Sequence, residues 1–450
     1  AILQQQGSPV DATIAALVCT SVVNPQSMGL GGGVIFTIYN VTTGAQWIGV
    51  PGELRGYAEA HRRHGRLPWA QLFQPTIALL RGGHVVAPVL SRFLHNSFLR
   101  PSLQASTLRQ LFFNGTEPLR PQDPLPWPAL ATTLETVATE GVEVFYTGRL
   151  GQMLVEDIAK EGSQLTLQDL AKFQPEVVDA LEVPLGDYTL YSPPPPAGGA
   201  ILSFILNVLR NASRDLLGET LAQLIRQQID GRGDHQLSHY SLAEAWGHGT
   251  GTSHVSVLGE DGSAVAATST INTPFGAMVY SPRTGIILNN ELLDLCERCP
   301  RGSGTTPSPV SGDRVGGAPG RCWPPVPGER SPSSMVPSIL INKAQGSKLV
   351  IGGAGGELII SAVAQAIMSK LWLGFDLRAA IAAPILHVNS KGCVEYEPNF
   401  SQEVQRGLQD RGQNQTQRPF FLNVVQAVSQ EGACVYAVSD LRKSGEAAGY

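Results

Sequence analysis

Through residues 252–272, TSHVSVLGEDGSAVAATSTIN, small apolar residues such as Val255, Val257 and Val265 alternate with polar ones, the rhythm of a half-buried strand. The alternation is broken once, at Glu260-Asp261-Gly262-Ser263, and Asp-Gly between two alternating runs is a strong hairpin signal. With Asp261 and Gly262 as the central turn residues, position 260 faces 263, and counting outward sets Thr252 opposite Ile271 with Thr270 and Asn272 flanking. The open end of this hairpin therefore gathers two hydroxyls, Thr252 and Thr270, and the amide of Asn272.

Apolar positions recur at helical spacing over about Val10 to Val23, a run stopped by Asn24-Pro25. Three glycines, Gly31 to Gly33, then feed an apolar strand from Val34 to Tyr39. Helical patterns follow over Glu53 to His64, Pro68 to Leu80 and Trp127 to Glu140. Tyr188 to Tyr191 reads as a short strand running into four prolines, Pro193 to Pro196, which hold the chain extended, and Gly198-Gly199 then opens a helix over Ala200 to Leu209. Beyond the hairpin lie a strand in GIILNNE, a Gly/Pro/Ser/Arg-rich loop over about 299–332, and a strand from Lys348 to Ile351. Helices over Leu358 to Leu373 and Leu377 to Ala383 follow, and strands near Phe420 to Val428 and Ala433 to Ser439 close the chain. Strand pairs separated by blocks of helix point to a layered α/β fold with antiparallel pairing, a sheet sandwich flanked by helices.

Composition changes this picture in a few places. Of 450 residues 42% are hydrophobic and 15% charged, which is globular, and 49 Gly with 32 Pro imply many turns rather than a helical bundle. A net charge of -5 gives no reason to expect a nucleic-acid partner. The basic run from His61 to Arg66 lacks interleaved aromatics and reads as a solvated helix end. Neither Gly31 to Gly33, where the strand follows the glycines, nor GGAGG at 352–356 completes a dinucleotide fingerprint. No apolar run is long enough to span a membrane, and the sequence opens at Ala1 inside a helical pattern, so an N-terminal anchor or signal is expected to precede it. Five N-x-S/T sequons, at Asn40, Asn114, Asn211, Asn399 and Asn414, exceed the roughly two expected by chance and point to a secretory route. Six cysteines are too few for a disulfide scaffold, and Cys296 and Cys299, without a second ligand pair, suit a loop disulfide or free thiols better than zinc.

At Thr252 the sequence resembles the start of the small subunit of the gamma-glutamyltransferases, the glutathione hydrolases. Further motifs agree in order: SMGLGGGVIFTIYN, PGELRGY, HGRLPWAQLFQP, SPPPPAGG, NNELLD, PSSM, GGAGG and the ending SDLRKSGEAAGY. The resemblance implies an N-terminal nucleophile hydrolase αββα sandwich, two mostly antiparallel sheets between helical layers. It implies a precursor that cuts itself before Thr252, leaving residues 1–251 as a large-subunit region and 252–450 as a small catalytic one. The freed threonine is then both nucleophile and base, since an exposed α-amine with a pKa near about 8 can take the hydroxyl proton at neutral pH. Gly251 permits the backbone geometry that lets the hydroxyl attack its own carbonyl.

By the same resemblance, Thr270 supports the nucleophile, and Asn272, Glu291 and Asp294 hold the α-amino and carboxylate ends of a γ-glutamyl group. Ser333 and Ser334 bind its carboxylate, and Gly355 and Gly356 offer N–H groups to an oxyanion. Taken without the resemblance, the threonines are ordinary strand residues, Ser333-Ser334 a polar loop and GGAGG a tight turn. His254 reads as structural, the base being supplied already. The implied substrates are glutathione, its S-conjugates and leukotriene C4, with amino acids, dipeptides or water as acceptors. No metal or organic cofactor is implied, and the implied site of action is the extracellular face of the plasma membrane.

The chain departs from the family pattern twice. Between TIYN and PGELRGY the family carries a further strand and loop with an Arg that pairs with the substrate carboxylate, whereas here only VTTGAQWIGV intervenes. Between LNVLR and NASRDLL a helix and loop are missing. The motifs on either side are intact, the mark of whole-segment omission as in a splice variant. Two outcomes are therefore set against each other: a γ-glutamyl transferase and hydrolase, or a non-catalytic product lacking the carboxylate-binding Arg, for which Arg55 of PGELRGY is a doubtful substitute.

Overall fold

The computed structural model describes residues 2–34, 44–210, 251–298, 328, 330–389, 392–418 and 423–449. Helix α1 (Pro9–Val23) starts where Ser8 and Asp11 cap one another, Ser8 N–H donating to Asp11 Oδ2 at 2.8 Å and Asp11 N–H to Ser8 Oγ at 3.1 Å, with Pro9 in the first turn. The helix has little polar face because it is covered on several sides, by α2 (Glu53–His64), by α3 (Trp69–Arg81) and by the hairpin strands. Helix α4 (Pro128–Glu140) packs on α3.

The short strand β1 (Gly33–Val34) belongs to a three-stranded antiparallel sheet, and the pair β2 (Leu181–Leu185) and β3 (Tyr188–Ser192) to a six-stranded one. Helix α5 (Gly199–Leu209) follows the proline run. The hairpin strands β4 (Gly251–Leu258) and β5 (Ala264–Asn272) complete the first sheet, in the order β1-β5-β4. Strands β6 (Ser338–Asn342), β7 (Ser347–Ala354), β8 (Val424–Glu431) and β9 (Cys434–Val438) complete the second, in the order β9-β8-β7-β6-β3-β2, antiparallel throughout. The two sheets face each other through β4 and β5 on one side and β6, β7 and β8 on the other. Helix α1 covers the outer face of the small sheet, while α5 and α6 (Leu358–Leu371) cover the large one, and α7 (Leu377–Ala382) packs on α6, β8 and β9. This is the expected four-layer arrangement, and buried apolar side chains from both sides of residue 251 share one core.

Several elements differ from expectation at their ends. Helix α3 begins at Trp69 because Pro68 stands just outside it, and α6 stops at Leu371, two residues early. Within GIILNNE only Ile286–Ile287 is strand, and Glu291–Arg298 turns into a 3-10 helix. The last two strands start at Val424 and Cys434. Residues 35–39 of the strand expected after Gly33, most of the 299–332 loop, Cys299, Asn40 and Asn211 lie outside the described residues.

The hairpin register is shifted from expectation. Gly262 N–H donates to the Gly259 carbonyl at 2.9 Å and Gly262 has φ 78°, so Glu260 and Asp261 are the central turn residues and Gly262 takes the left-handed position. The expected turn was one residue too far along. Leu258 therefore pairs with Ala264, and Thr252 with Thr270 rather than Ile271.

Candidate active site around Thr252

A β-bulge falls between Gly251 and Thr252: Gly251 pairs with Asn272 while Thr252 pairs with Thr270. A Cβ at position 251 would lie 2.4 Å from the Thr273 carbonyl oxygen, so only glycine fits there. Thr252 is completely buried. Its Oγ1 donates to Thr270 Oγ1 at 3.3 Å, and Thr270 Oγ1 donates to the Gly251 carbonyl at 2.5 Å and accepts from Asn272 N–H at 2.8 Å. A hydroxyl has one proton and two lone pairs. Thr270 spends its proton on the carbonyl that precedes the candidate nucleophile, so the proton between the two threonines comes from Thr252.

Asn272 adopts φ 74°, a left-handed conformation that Asn tolerates, and its Nδ2 donates to Asp294 Oδ2 at 2.8 Å and to the Asn290 carbonyl at 3.2 Å. Glu291 and Asp294, three apart on a 3-10 helix, lie on one face of it. The Glu291 carboxyl oxygens are shielded from solvent, and burial first, then the charge of Glu53, push its pKa well above the usual carboxylate range. Thr252, Thr270, Asn272 and Asp294 thus form one hydrogen-bonded chain.

Ser333 and Ser334 are both buried, and Ser333 is held by two bonds: its N–H donates to the Pro196 carbonyl at 2.8 Å, and its Oγ accepts from Met335 N–H at 3.1 Å. The proline run and PSSM, far apart in the chain, meet here. Gly355 and Gly356, with φ 121° and 65°, form the turn between β7 and α6 in conformations that suit glycine. Their N–H groups stand at the start of a 14-residue helix, where its dipole favours negative charge.

Two residues near this chain had no assigned role in the sequence. Lys443 is buried, and its Nζ donates to the Thr252 carbonyl at 2.6 Å and to Ser253 Oγ at 3.1 Å, while burial pushes its pKa down to about 7. Glu53 is completely buried, accepts from Ser269 Oγ at 2.8 Å and from the Tyr57 hydroxyl, and is pushed up to about 8, chiefly by burial. Both stand inside quoted motifs, but nothing in their spacing signals burial. His254 is structural as expected: its ring bonds Thr268 and Ser256 at 2.8 and 2.9 Å, and burial lowers its pKa to about 3. Arg55 is committed elsewhere, to Glu143 and to the carbonyls of Leu170, Ala171 and Phe173. Among the described residues one group is compact enough to hold a metal, Glu357, His387 and Glu395, and the Arg418 guanidinium already bonds both of its carboxylates.

The sequence model described as Gamma-glutamyltranspeptidase matches residues 1–45, 40–215 and 210–450. The chain belongs to the gamma-glutamyltranspeptidase family. It is 85% identical to the human glutathione hydrolase 5 proenzyme over 528 positions, covering 100% of this chain and 90% of that protein, and 67% identical to the mouse protein of the same name over 531 positions, with the same coverage. A crystal structure of cephalosporin acylase from Bacillus halodurans, 20% identical, superposes with a TM-score of 0.77 over 100% of this chain and 92% of that one, a likeness of fold alone. This gamma-glutamyltranspeptidase chain is shorter than its relatives. The human alignment spans 528 positions against 450 residues here, so about 78 positions have no counterpart. Because 85% of 528 is close to the whole length of this chain, nearly every aligned residue is identical and the difference lies in omission. The family match breaks near residues 40–45 and 210–215, the two places where the motifs close up.

Proposed function

We propose that this chain is a self-processing γ-glutamyl transferase and hydrolase, acting on glutathione, its S-conjugates and leukotriene C4 through a γ-glutamyl-threonine intermediate. The observation that carries this reading is the Thr270 hydroxyl donating to the Gly251 carbonyl while it accepts from Thr252. In the first step Thr252 Oγ attacks the Gly251 carbonyl carbon. Thr270 stabilises the negative charge that develops on the carbonyl oxygen, the Thr252 nitrogen leaves with a proton, and water hydrolyses the resulting ester. The α-amine so freed then takes the Thr252 hydroxyl proton when the γ-carbonyl of a donor is attacked.

In this reading Asn272, Glu291 and Asp294 receive the donor's α-amino end. Ser333 and Ser334 hydrogen-bond its carboxylate, and the Gly355 and Gly356 N–H groups face the second oxyanion. Lys443 holds the nucleophile's own carbonyl. Residues 1–251 and 252–450 would be the two subunits of the cut precursor, on the extracellular face of a membrane. Asn114, Asn399 and Asn414 are exposed and suited to glycosylation, and among the described residues no helix is long and apolar enough to cross a membrane.

A second reading, a non-catalytic product, is favoured by one observation: about 78 positions of the human relative have no counterpart here, and the family match breaks near residues 40–45 and 210–215, both before Thr252. Expression behind a secretion signal, with gel analysis and N-terminal sequencing, separates the two. The first reading expects a fragment beginning at Thr252, and an uncut, inactive chain for Thr252→Ala. Cutting that persists in the alanine variant removes Thr252 from its role, and a folded parent that stays uncut favours the second reading.

A further inference from the structure

Glu357 directly follows the Gly355-Gly356 turn and stands at the cap position of α6, yet its side chain makes no capping bond to that helix. Its carboxyl is taken instead by Arg418, whose guanidinium donates to Glu357 Oε1 and, through Nε, to Glu395 Oε2 at 2.7 Å. Asn389 Nδ2 donates to the other oxygen of Glu395 at 2.9 Å. Glu395 pairs with His387 across the short antiparallel strands Leu386–Val388 and Val394–Tyr396, and the His387 ring bonds Ser361 Oγ at 2.9 Å. Ser361 lies on α6, four residues after Glu357. The contacts therefore leave α6 at its start and return to it one turn later, with Arg418 as the link between the two carboxyls.

This cluster is largely shielded from water: the side chains of Glu357, Glu395, His387 and Arg418 are 10%, 9%, 3% and 17% exposed. A guanidinium bridging two such carboxyls holds them by charge-assisted bonds that solvent screens weakly. The turn is joined to the helix as well, since the Gly355 and Gly356 carbonyls accept from the Leu358 and Ile359 N–H groups at 3.4 and 2.9 Å, so Glu357 lies between the turn and the first residues it anchors. A carboxylate at a helix N-terminus is drawn to the same positive end of the dipole that an oxyanion would use. Without a counter-charge, Glu357 would oppose the negative charge developing on a substrate beside it.

We propose that Arg418 is a positioning residue for the γ-glutamyl step: by pairing with Glu357 it fixes the Gly355-Gly356 turn and offsets the carboxylate charge next to it. This rests on the reading of that turn as an oxyanion donor given above. Arg418 touches no substrate in this arrangement and acts only through Glu357.

The test is amide hydrogen exchange of the full 450-residue chain, comparing the segment Gly352 to Ile359 with β6 as an internal reference, in the parent, Arg418→Met and Arg418→Lys. Methionine keeps an apolar stem without the charge, and lysine keeps the charge without the planar fork that spans both carboxyls. Exchange in the turn segment should quicken about tenfold in Arg418→Met and less in Arg418→Lys, with β6 unchanged. Where Arg418→Met fails to fold, the lysine variant gives the same comparison. Turn exchange equal to the parent's, or an equal rise in β6, overturns the proposal. In cut samples, kcat for glutathione should fall about tenfold in Arg418→Met with KM within about twofold, because the oxyanion forms only during turnover. The extent of cutting before Thr252 should match the parent's, since Thr270 rather than the turn serves that step. An unchanged kcat, or a loss carried by KM alone, also overturns the proposal. A parent that neither cuts nor turns over removes the catalytic reading, while the exchange comparison still decides whether Arg418 holds the turn.

Discussion

Lys443 reaches the peptide of the proposed nucleophile from 191 residues away, and burial alone acts on its proton. The charged neighbours on its own segment, Asp440 and Arg442, bond one another, and Arg442 also bonds Glu397, so neither offsets the buried ammonium. Burial lowers the folded group to about 7, against 10.5 for the free side chain. Between those values the unfolded chain binds the proton and the folded chain does not, so stability rises with pH across the window, and below it the penalty is constant. Compared with Lys443→Met, the parent should gain on the order of 4 kcal/mol of stability between pH 7 and 10. Denaturant unfolding of both chains at several pH values checks this, and parallel curves would show that Lys443 titrates normally.

At the scale of elements, the two sheets meet closely where His254 on β4 faces Gly352 on β7. A Cβ at Gly352 would stand 2.3 Å from the His254 ring, which is itself held on both nitrogens by Thr268 and Ser256. The ring cannot yield without breaking those bonds. Gly352→Ala should therefore destabilise the chain by about 1–3 kcal/mol, the usual cost of overpacking a core. Urea unfolding measures it, and a loss below a few tenths of a kcal/mol would mean that the sheets move apart freely at this point. The first two glycines of GGAGG lie inside β7, where a Cβ at Gly352 would meet the His254 ring and one at Gly353 the Val424 carbonyl oxygen at 2.5 Å, while only Gly355 and Gly356 turn.

For the whole molecule, the consequence of the omitted segments is chemical as well as structural. In the described residues β1 is the edge of the small sheet, and the omission near residue 40 follows directly after it. Arg55 cannot take over a carboxylate without leaving Glu143 and three carbonyls. Losing one partner of a buried charge pair costs about 2–5 kcal/mol, so γ-glutamyl hydrolysis by this chain should lie on the order of 30- to several-thousand-fold below that of a chain with the segment and its Arg restored. Comparing kcat/KM for glutathione between the two chains decides it, and values within a few-fold of each other would assign the carboxylate to another residue.

What could be read without coordinates was whatever local pattern and ordered motifs carry. Alternation and an Asp-Gly turn specify a hairpin, helical spacing specifies α1 to α7 to within a few residues, and the ordered motifs specify the family and hence the layered fold. The register of that hairpin was not legible. A one-residue change in which turn positions are central moves every cross-strand partner, and only the closed Gly259–Gly262 turn places Thr252 against Thr270. Nor were Lys443 and Glu53. Burial is a property of what the rest of the chain packs around a side chain, so nothing local distinguishes a lysine in a C-terminal tail from one whose ammonium lies against the Thr252 carbonyl. Chemistry that depends on residue type was present in the sequence. Chemistry that depends on removing water from a charge was decided only when the sheets, helices and terminal segment closed around it.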